Sequence, residues 1–227
     1  MAGSGERLIL CLHGFPESAV SWRYQLRPLA QEGYRIWAPD LRGYGGTTRP
    51  SDIEAYGMEH LMDDVTGLLD AAQVEQAILV GHDWGGIIAW YYAMRHAERV
   101  KALVILNAPH PACFEREVRR RRQLCRSWYM AFFQFPWLPE AVLSAGHGYL
   151  IGEIFSRTMM HREQLPDDFV RLYRRQACEP GALTAMVNYY RAALRGGGGD
   201  AATTDGLPYC VRTHAGDLGV TRSCTRP

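Results

Sequence analysis

Short apolar runs separated by longer amphipathic stretches make up the first hundred residues of the chain. The run from Leu8 to Leu12 is continuously apolar, which is typical of a strand buried on both faces of a parallel sheet. Similar runs at 34–38 and 77–80 predict strands, and the run at 102–106 predicts another buried strand. The stretches between them space their apolar residues as helices do. Strands that alternate with helices predict an α/β doubly wound fold with a mostly parallel sheet.

The alternation ends near residue 110. From Phe114 to about Leu194 the pattern is helical and rich in arginine and aromatic residues, and prolines at 136, 139, 166 and 180 mark breaks between helices. We therefore expect an α/β core over 1–110 and an all-helical second unit over 111–195. The four arginines at 119–122 are typical of a solvated helix face. Residues 196–227 begin with four glycines and have no helical or strand period, so we expect a disordered tail there.

Composition narrows the class of protein. The 25 Lys and Arg nearly balance the 24 Asp and Glu, and 47% of the residues are apolar, which indicates a globular chain and disfavours a general nucleic-acid binder. No apolar run approaches the roughly 20 residues of a membrane span, and residues 1–6 lack the features of a signal peptide. We expect a cytoplasmic protein. The six cysteines form no Cys-x-x-Cys pair, so we expect free thiols and neither disulfides nor metal ligands.

The main chemical signal is the segment Gly81-His82-Asp83-Trp84-Gly85, which lies between a predicted strand and a predicted helix. This is the spacing of a nucleophile elbow, in which small residues two before and two after the nucleophile allow a turn that exposes it above the sheet. Here the nucleophile position holds an aspartate. The alternative is that Asp83 only caps the helix that follows, because aspartate is a good N-cap residue.

A second segment, His13-Gly14-Phe15-Pro16, follows the first predicted strand. This is where folds with such an elbow place the second donor of an oxyanion hole, so the backbone N–H groups of Phe15 and Trp84 are expected to converge on an anion above Asp83. Alone, the segment could be an ordinary Gly-x-Pro turn. Together with the elbow it predicts a catalytic site.

Taken together, these segments resemble the α/β-hydrolase superfamily, and within it the epoxide hydrolases related to the soluble mammalian enzymes. The resemblance covers residues 3 to about 195. It rests on His-Gly-Phe-Pro-Glu-Ser at 13–18 with Trp22, Asp-Leu-Arg-Gly-Tyr-Gly at 40–45, the elbow at 81–85, Asn-Ala-Pro-His-Pro at 107–111, Phe-Gln-Phe-Pro-Trp-Leu-Pro at 133–139 and Asn-Tyr-Tyr-Arg at 188–191. It implies an α/β-hydrolase sheet with a helical cap, and no cofactor.

The resemblance also implies a reaction, which converts a small apolar epoxide and water to a vicinal diol. Asp83 would attack an epoxide carbon and form a covalent ester. The acids that protonate the departing oxygen would be two cap tyrosines, which correspond by motif position to Tyr129 and Tyr190. A phenol with a pKa of about 10 is protonated at neutral pH and suits this task. The alternative is that both tyrosines only pack in an aromatic-rich unit.

Two other functions remain open. Haloalkane dehalogenases usually carry asparagine where this chain has Phe15, and fluoroacetate dehalogenases carry arginine where it has Trp84, so both differences favour an epoxide over dehalogenation of a haloalkane or haloacid. A non-catalytic binding protein or inactive fragment is the alternative of a different class. Substrate and halide assays would separate these functions.

Part of the expected machinery has no counterpart in the sequence. Hydrolysis of the ester needs a histidine oriented by a carboxylate, and both follow the nucleophile in chain order. No matching segment follows Asp83, and the alternative acid position holds Asn107. We therefore expect at most a single alkylation of Asp83, without turnover. The resemblance also implies further strands on either side of the sheet that have no counterpart in this sequence. We therefore expect a sheet that is incomplete at both edges and a protein of marginal stability.

A shift of reading frame near the glycines at 196–199 would explain the missing segment. Reading each codon from Arg212 to Arg222 one nucleotide later permits Val-Pro-Thr-Leu-Val-Ile-Trp-Gly-Ser-Arg-Asp, which resembles the family's missing strand and acid loop. Degeneracy of the code permits other strings as well. The nucleotide sequence through this region tests the hypothesis.

Overall fold

Four parallel strands form the sheet at the centre of the computed structural model, which describes residues 1–118, 127–158 and 165–195. The strands are β1 (Leu8–Leu12), β2 (Arg35–Trp37), β3 (Ala77–His82) and β4 (Val100–Leu106), in the spatial order β2-β1-β3-β4. Their pairing is parallel throughout. The predicted α/β fold is confirmed, and the carboxyl ends of β1 and β3, where both sequence motifs begin, lie side by side.

Three helices connect these strands. They are α1 (Arg23–Gln31), α2 (Met58–Ala71) and α3 (Trp84–Arg95), with short 3-10 turns at Ala19–Trp22, Glu54–Tyr56 and Ala97–Arg99. Ile9 and Cys11 of β1 face the cluster that includes Trp22 and the α1 side, whereas the alternate residues Leu8, Leu10 and Leu12 join the large core with α2 and α3. The prediction that β1 is buried on both faces is therefore confirmed.

The prediction that β4 is a buried strand is wrong. This strand lies at the edge of the sheet, and Val104 and Leu106 keep 45% and 43% of their surface exposed. One edge of β4 pairs with β3 and α3 packs against it, but no other described element covers the remaining edge or face. An apolar run indicates that a segment is suited to a strand. Whether that strand is buried also depends on which other elements pack beside it.

The chain after residue 110 is helical in its described parts. The helices are α4 (Pro111–Val118), α5 (Trp128–Phe132), α6 (Leu138–Thr158), α7 (Asp167–Ala177) and α8 (Ala182–Leu194). Helix α6 is broken at Ala145–Gly148, where the backbone leaves helical geometry. The four prolines that predicted breaks lie within or beside the starts of α6, α7 and α8. The arginines at 119–122 and the expected tail at 196–227 lie outside the described residues.

Helix α8 docks this helical region on the sheet. The Tyr189 hydroxyl donates to the carbonyl of Arg42 at 2.7 Å, and the Asn188 amide donates to the carbonyl of Ser51 at 3.2 Å. A third link joins the hydroxyls of Ser21 and Tyr173 at 3.0 Å. These contacts place the buried face of α8 above the carboxyl ends of the strands.

None of the helices in the described ranges is both long and apolar enough to cross a membrane.

Candidate active site

Asp83 occupies a strained turn between β3, which ends at His82, and α3, which begins at Trp84. Its φ of 50° and ψ of −120° are unusual for a residue with a side chain, and such strain is held only when the surroundings determine it. Here the backbone of Asp83 is held at both ends, because its N–H donates to the carbonyl of Leu106 and its carbonyl accepts from the N–H of Ile87. The strand, strained turn and helix of the predicted elbow are present, and the role of Asp83 as a nucleophile stays a prediction.

Glycine is required at two positions around this turn by close approach of the backbone. A Cβ on Gly85 would lie 2.2 Å from the carbonyl oxygen of Leu12, and a Cβ on Gly14 would lie 2.4 Å from the Cβ of Asp83. The absence of side chains at these positions lets the loop after β1 approach the elbow. The two sequence motifs therefore form one structural unit.

The Asp83 carboxylate is half-buried and is bound by backbone donors. The N–H of Phe15 donates to its Oδ2 at 2.9 Å, and the N–H of Trp84 also hydrogen-bonds the carboxylate. Burial raises the pKa of Asp83, and these two hydrogen bonds partly offset the increase. The sequence predicted that the two N–H groups converge above Asp83, and in the structure they contact the carboxylate itself.

His13 holds the loop that presents the Phe15 N–H. Its Nε2 accepts a hydrogen bond from the N–H of Leu41 at 3.0 Å, and its Nδ1 donates to the carbonyl of Gly14 at 3.0 Å. Burial lowers the pKa of His13, so the neutral ring suits both contacts. Pro16 follows in the same turn, where the Phe15–Pro16 bond is cis. These residues support the site and do not provide a base.

His82 precedes Asp83 but turns its ring toward other partners. Its Nδ1 lies 3.2 Å from Oε2 of Glu17, and its Nε2 lies 3.4 Å from Nδ2 of Asn107. The hydrogen bond with Glu17 raises the pKa of His82. Sequence reasoning missed this pair. Glu17 belongs to the first motif, but only the fold shows that the loop after β1 meets the end of β3.

A cavity of about 380 Å³ opens above Asp83. Asp83, Tyr129 and Tyr190 all line it, although they come from the elbow, α5 and α8 respectively. Most of the other lining residues are apolar, among them Met58, Ile87, Pro109, Phe114, Met130 and Leu194. The cavity combines the Asp83 carboxylate and four tyrosine side chains, of which Tyr56 and Tyr91 are the other two, with otherwise mostly apolar walls. Such a lining suits a small apolar ligand with one reactive polar group.

The two tyrosines differ in exposure. Tyr190 is 6% exposed and packs edge-on against Phe15, Trp84 and Phe133, whereas Tyr129 is 38% exposed. Burial raises the pKa of both phenols, and the nearby Asp83 carboxylate raises each further. Their rings lie 5.8 Å apart, centroid to centroid. Both hydroxyls are therefore protonated at neutral pH, as proton donors must be.

Within the described residues, no group of three or more His, Cys, Asp or Glu could hold a metal ion.

The close approach at Gly85 leads to a stability prediction. Gly85→Ala is expected to lower the free energy of unfolding by about 3 kcal/mol, because its Cβ would overlap the Leu12 carbonyl in a packed core. At Gly67 in α2, by contrast, an added Cβ would have no atom within 4 Å, so Gly67→Ala should instead raise stability by about 1 kcal/mol through helix propensity. Urea unfolding of both variants measures the difference. Equal effects would contradict the close approach.

The chain is similar in sequence to several known proteins. A family model for the alpha/beta hydrolase fold matches residues 7–177. The chain is 41% identical to human epoxide hydrolase 4 over 192 residues, which cover 82% of this chain and 53% of that protein. It is 37% identical to the AB hydrolase superfamily protein YfhM of Bacillus subtilis over 203 residues, which cover 89% of this chain and 71% of that one.

A solved structure of an epoxide hydrolase also resembles this chain. Epoxide hydrolase A from Mycobacterium thermoresistibile superposes with a TM-score of 0.73 at 31% identity, over 87% of this chain and 70% of that one. The chain spans about half the length of the human relative that it matches.

Proposed function

This chain belongs to the α/β-hydrolase fold family, and on that premise we propose that it opens small apolar epoxides through a covalent ester on Asp83. The observation that carries the proposal is the convergence of Asp83, Tyr129 and Tyr190 on one cavity. Relatives named as epoxide hydrolases add support, since they match over most of the chain. We further propose residues 1–110 as the catalytic core and residues 111–195 as a cap that supplies the tyrosines.

The first step is a nucleophilic displacement. A carboxylate oxygen of Asp83 attacks one epoxide carbon, the C–O bond of that carbon breaks, and the departing oxygen takes a proton from Tyr190 or Tyr129. The product is a β-hydroxyalkyl ester and one tyrosinate, which regains its proton from water. The backbone N–H groups of Phe15 and Trp84 orient the carboxylate for this attack.

The second step, hydrolysis of the ester, needs a base beside Asp83. Within the described residues, the two histidines of the motifs are engaged elsewhere, since His13 is buried between the Leu41 N–H and the Gly14 carbonyl, and His82 faces Glu17. We therefore propose that this polypeptide accumulates the ester and does not turn over. Sustained diol formation would contradict this part of the proposal and leave the first step intact.

Intact-mass analysis after incubation with styrene oxide tests the proposal. Because free cysteines also react with epoxides, the matched control is Asp83→Asn, which retains every thiol. The protein should gain one adduct more than this variant does. Halide release from a bromoalkane, with no reaction of the epoxide, would instead support a dehalogenase. No adduct at Asp83 with either reagent would favour a non-catalytic binding protein.

The pH dependence of adduct formation follows from the two kinds of acid in the cavity. Only ionised Asp83 can attack, and because burial raises its pKa the rate should still be rising in the acidic range where an exposed aspartate is already ionised. Only protonated tyrosines can donate, and burial raises the pKa values of both. The rate should therefore stay level to at least about pH 10, the ordinary phenol pKa. A decline near pH 8, measured by quenched time courses, would contradict the assigned acids.

A further inference from the structure

The guanidinium group of Arg191 lies buried immediately after Tyr190 on α8. Arg191 is 5% exposed. Its Nε donates to the carbonyl of Phe133 at 3.0 Å, and its Nη2 donates to the carbonyl of Phe135 at 2.7 Å. Its Nη1 donates to Oε1 of Glu140 at 2.7 Å, and a second bond joins Nη2 to Oε2 at 3.1 Å. One side chain on α8 thus fixes the whole turn between α5 and the start of α6.

This turn is directly connected to Tyr129. The N–H of Phe133 donates to the carbonyl of Tyr129 at 2.9 Å, so the turn that Arg191 holds is hydrogen-bonded to α5 at Tyr129. The Phe133 ring contacts both phenol rings, with centroids 5.9 Å from that of Tyr129 and 4.8 Å from that of Tyr190. The Gln134 amide adds another link, because it donates to the carbonyl of Tyr190 at 3.2 Å.

From this arrangement we propose that Arg191, braced by Glu140, is a positioning residue that sets the two ring-opening tyrosines relative to each other and to Asp83. The inference rests on the proposed function, since it assigns Arg191 a role in the same reaction. Arg191 is not one of the residues that line the cavity, so it acts through the tyrosines and not on the epoxide directly. It differs from a surface ion pair, because both partners are largely buried.

Stability alone does not account for this choice of residues. A buried ion pair is often no more stabilising than well-packed apolar side chains of similar volume. What arginine adds is geometry, because its planar fork binds a carboxylate with two parallel hydrogen bonds while its other N–H groups bind carbonyls. Lysine has the same charge and cannot reproduce that pattern. A shift of about 1 Å in a catalytic group can slow a reaction about 100-fold.

The test is the rate of Asp83 adduct formation in Arg191→Lys, followed by intact mass at several styrene oxide concentrations. The maximal rate constant should fall about 10- to 100-fold, as expected for a misplaced catalytic group. The half-saturating epoxide concentration should change less than about threefold, since Arg191 does not line the cavity. Arg42→Lys is the control: its guanidinium also binds one carboxylate, Asp64 of α2, through two bonds, but the pair is partly exposed. The substitution keeps the backbone carbonyl that accepts from Tyr189. This control should react as the wild type does.

A double-mutant comparison separates positioning from a general loss of structure. In a protein that already carries Tyr129→Phe and Tyr190→Phe, adding Arg191→Lys should slow adduct formation less than about twofold further, because the groups that Arg191 positions are gone. If the two effects multiply instead, the positioning role is wrong.

A second variant covers the case in which Arg191→Lys unfolds. Replacing both partners, Arg191→Met with Glu140→Leu, removes the buried charges together and should preserve folding by circular dichroism while still slowing the reaction. A wild-type rate in a folded variant, or unfolding of both variants, would overturn the inference in favour of a purely structural role. If the wild type itself forms no Asp83 adduct, the proposed function fails first.

Discussion

Asp83→Asn is expected to abolish adduct formation with styrene oxide, with a loss of about 10⁴-fold or more, as for removal of a nucleophile in other enzymes. The amide oxygen can still accept the hydrogen bond from the Phe15 N–H, and asparagine tolerates the positive φ of this turn. The fold should therefore persist, and only the nucleophile is lost. The measurement is the time course of intact mass for both proteins under identical conditions.

The same variant should be more stable than the wild type at neutral pH. Burial raises the pKa of Asp83 in the folded state, so the stability that its protonated form contributes at low pH is lost as pH rises through the folded pKa. Asparagine carries no charge and avoids that loss. The melting temperature of Asp83→Asn should exceed that of the wild type at pH 8, and the difference should shrink in acid. A lower melting temperature at pH 8 would indicate that the ionised carboxylate stabilises the turn.

Removing both phenol hydroxyls should produce the second largest effect. Tyr129→Phe with Tyr190→Phe is expected to slow adduct formation about 1,000-fold, within the range assigned to general acid catalysis. The rings remain, so the aromatic contacts with Phe133 and Trp84 are kept. Each single variant should be slower than the wild type and faster than the pair, because either hydroxyl can supply the proton. Quenched mass measurements give the rate constants.

Tyr149 provides a control for the loss of a hydroxyl. It is 56% exposed on α6 and does not line the cavity, so Tyr149→Phe should react at the wild-type rate. A double tyrosine variant that reacts as fast as this control would show that neither phenol assists ring opening, and that Asp83 acts without an acid from the cap.

The elbow was predictable from the sequence because its requirements are local. A strand, two small residues and a helix lie within a few positions of one another, and together they determine the turn at Asp83. Glycine is needed at position 85 because the Leu12 carbonyl leaves no room for a Cβ atom. The parallel sheet was predictable from the alternation of strands with helices for a similar reason, whereas the order β2-β1-β3-β4 came only from the structure. The assignment of Tyr129 and Tyr190 came from resemblance, and the cavity that joins them with Asp83 is a property of the fold.

Long-range contacts were not predictable in the same way. Arg191 and Glu140 are 51 positions apart in the chain, and nothing in their local sequence marks them as partners. The pairing of Glu17 with His82 likewise spans 65 positions. The exposure of Val104 depends on what lies beside β4, which the composition of the strand does not encode. Local patterns predicted elements and a nucleophile, whereas the supporting contacts depend on tertiary packing.

The most direct test of the central claim is peptide mapping of the wild-type protein after reaction with styrene oxide. Digestion and tandem mass spectrometry locate the added mass on a residue, and the same digest of Asp83→Asn identifies background reaction at cysteines. The account predicts one ester adduct, on Asp83, that persists in the intact protein and is absent from the variant. Modification of a different carboxylate, or an unmodified Asp83 in protein that has bound the epoxide, would contradict it.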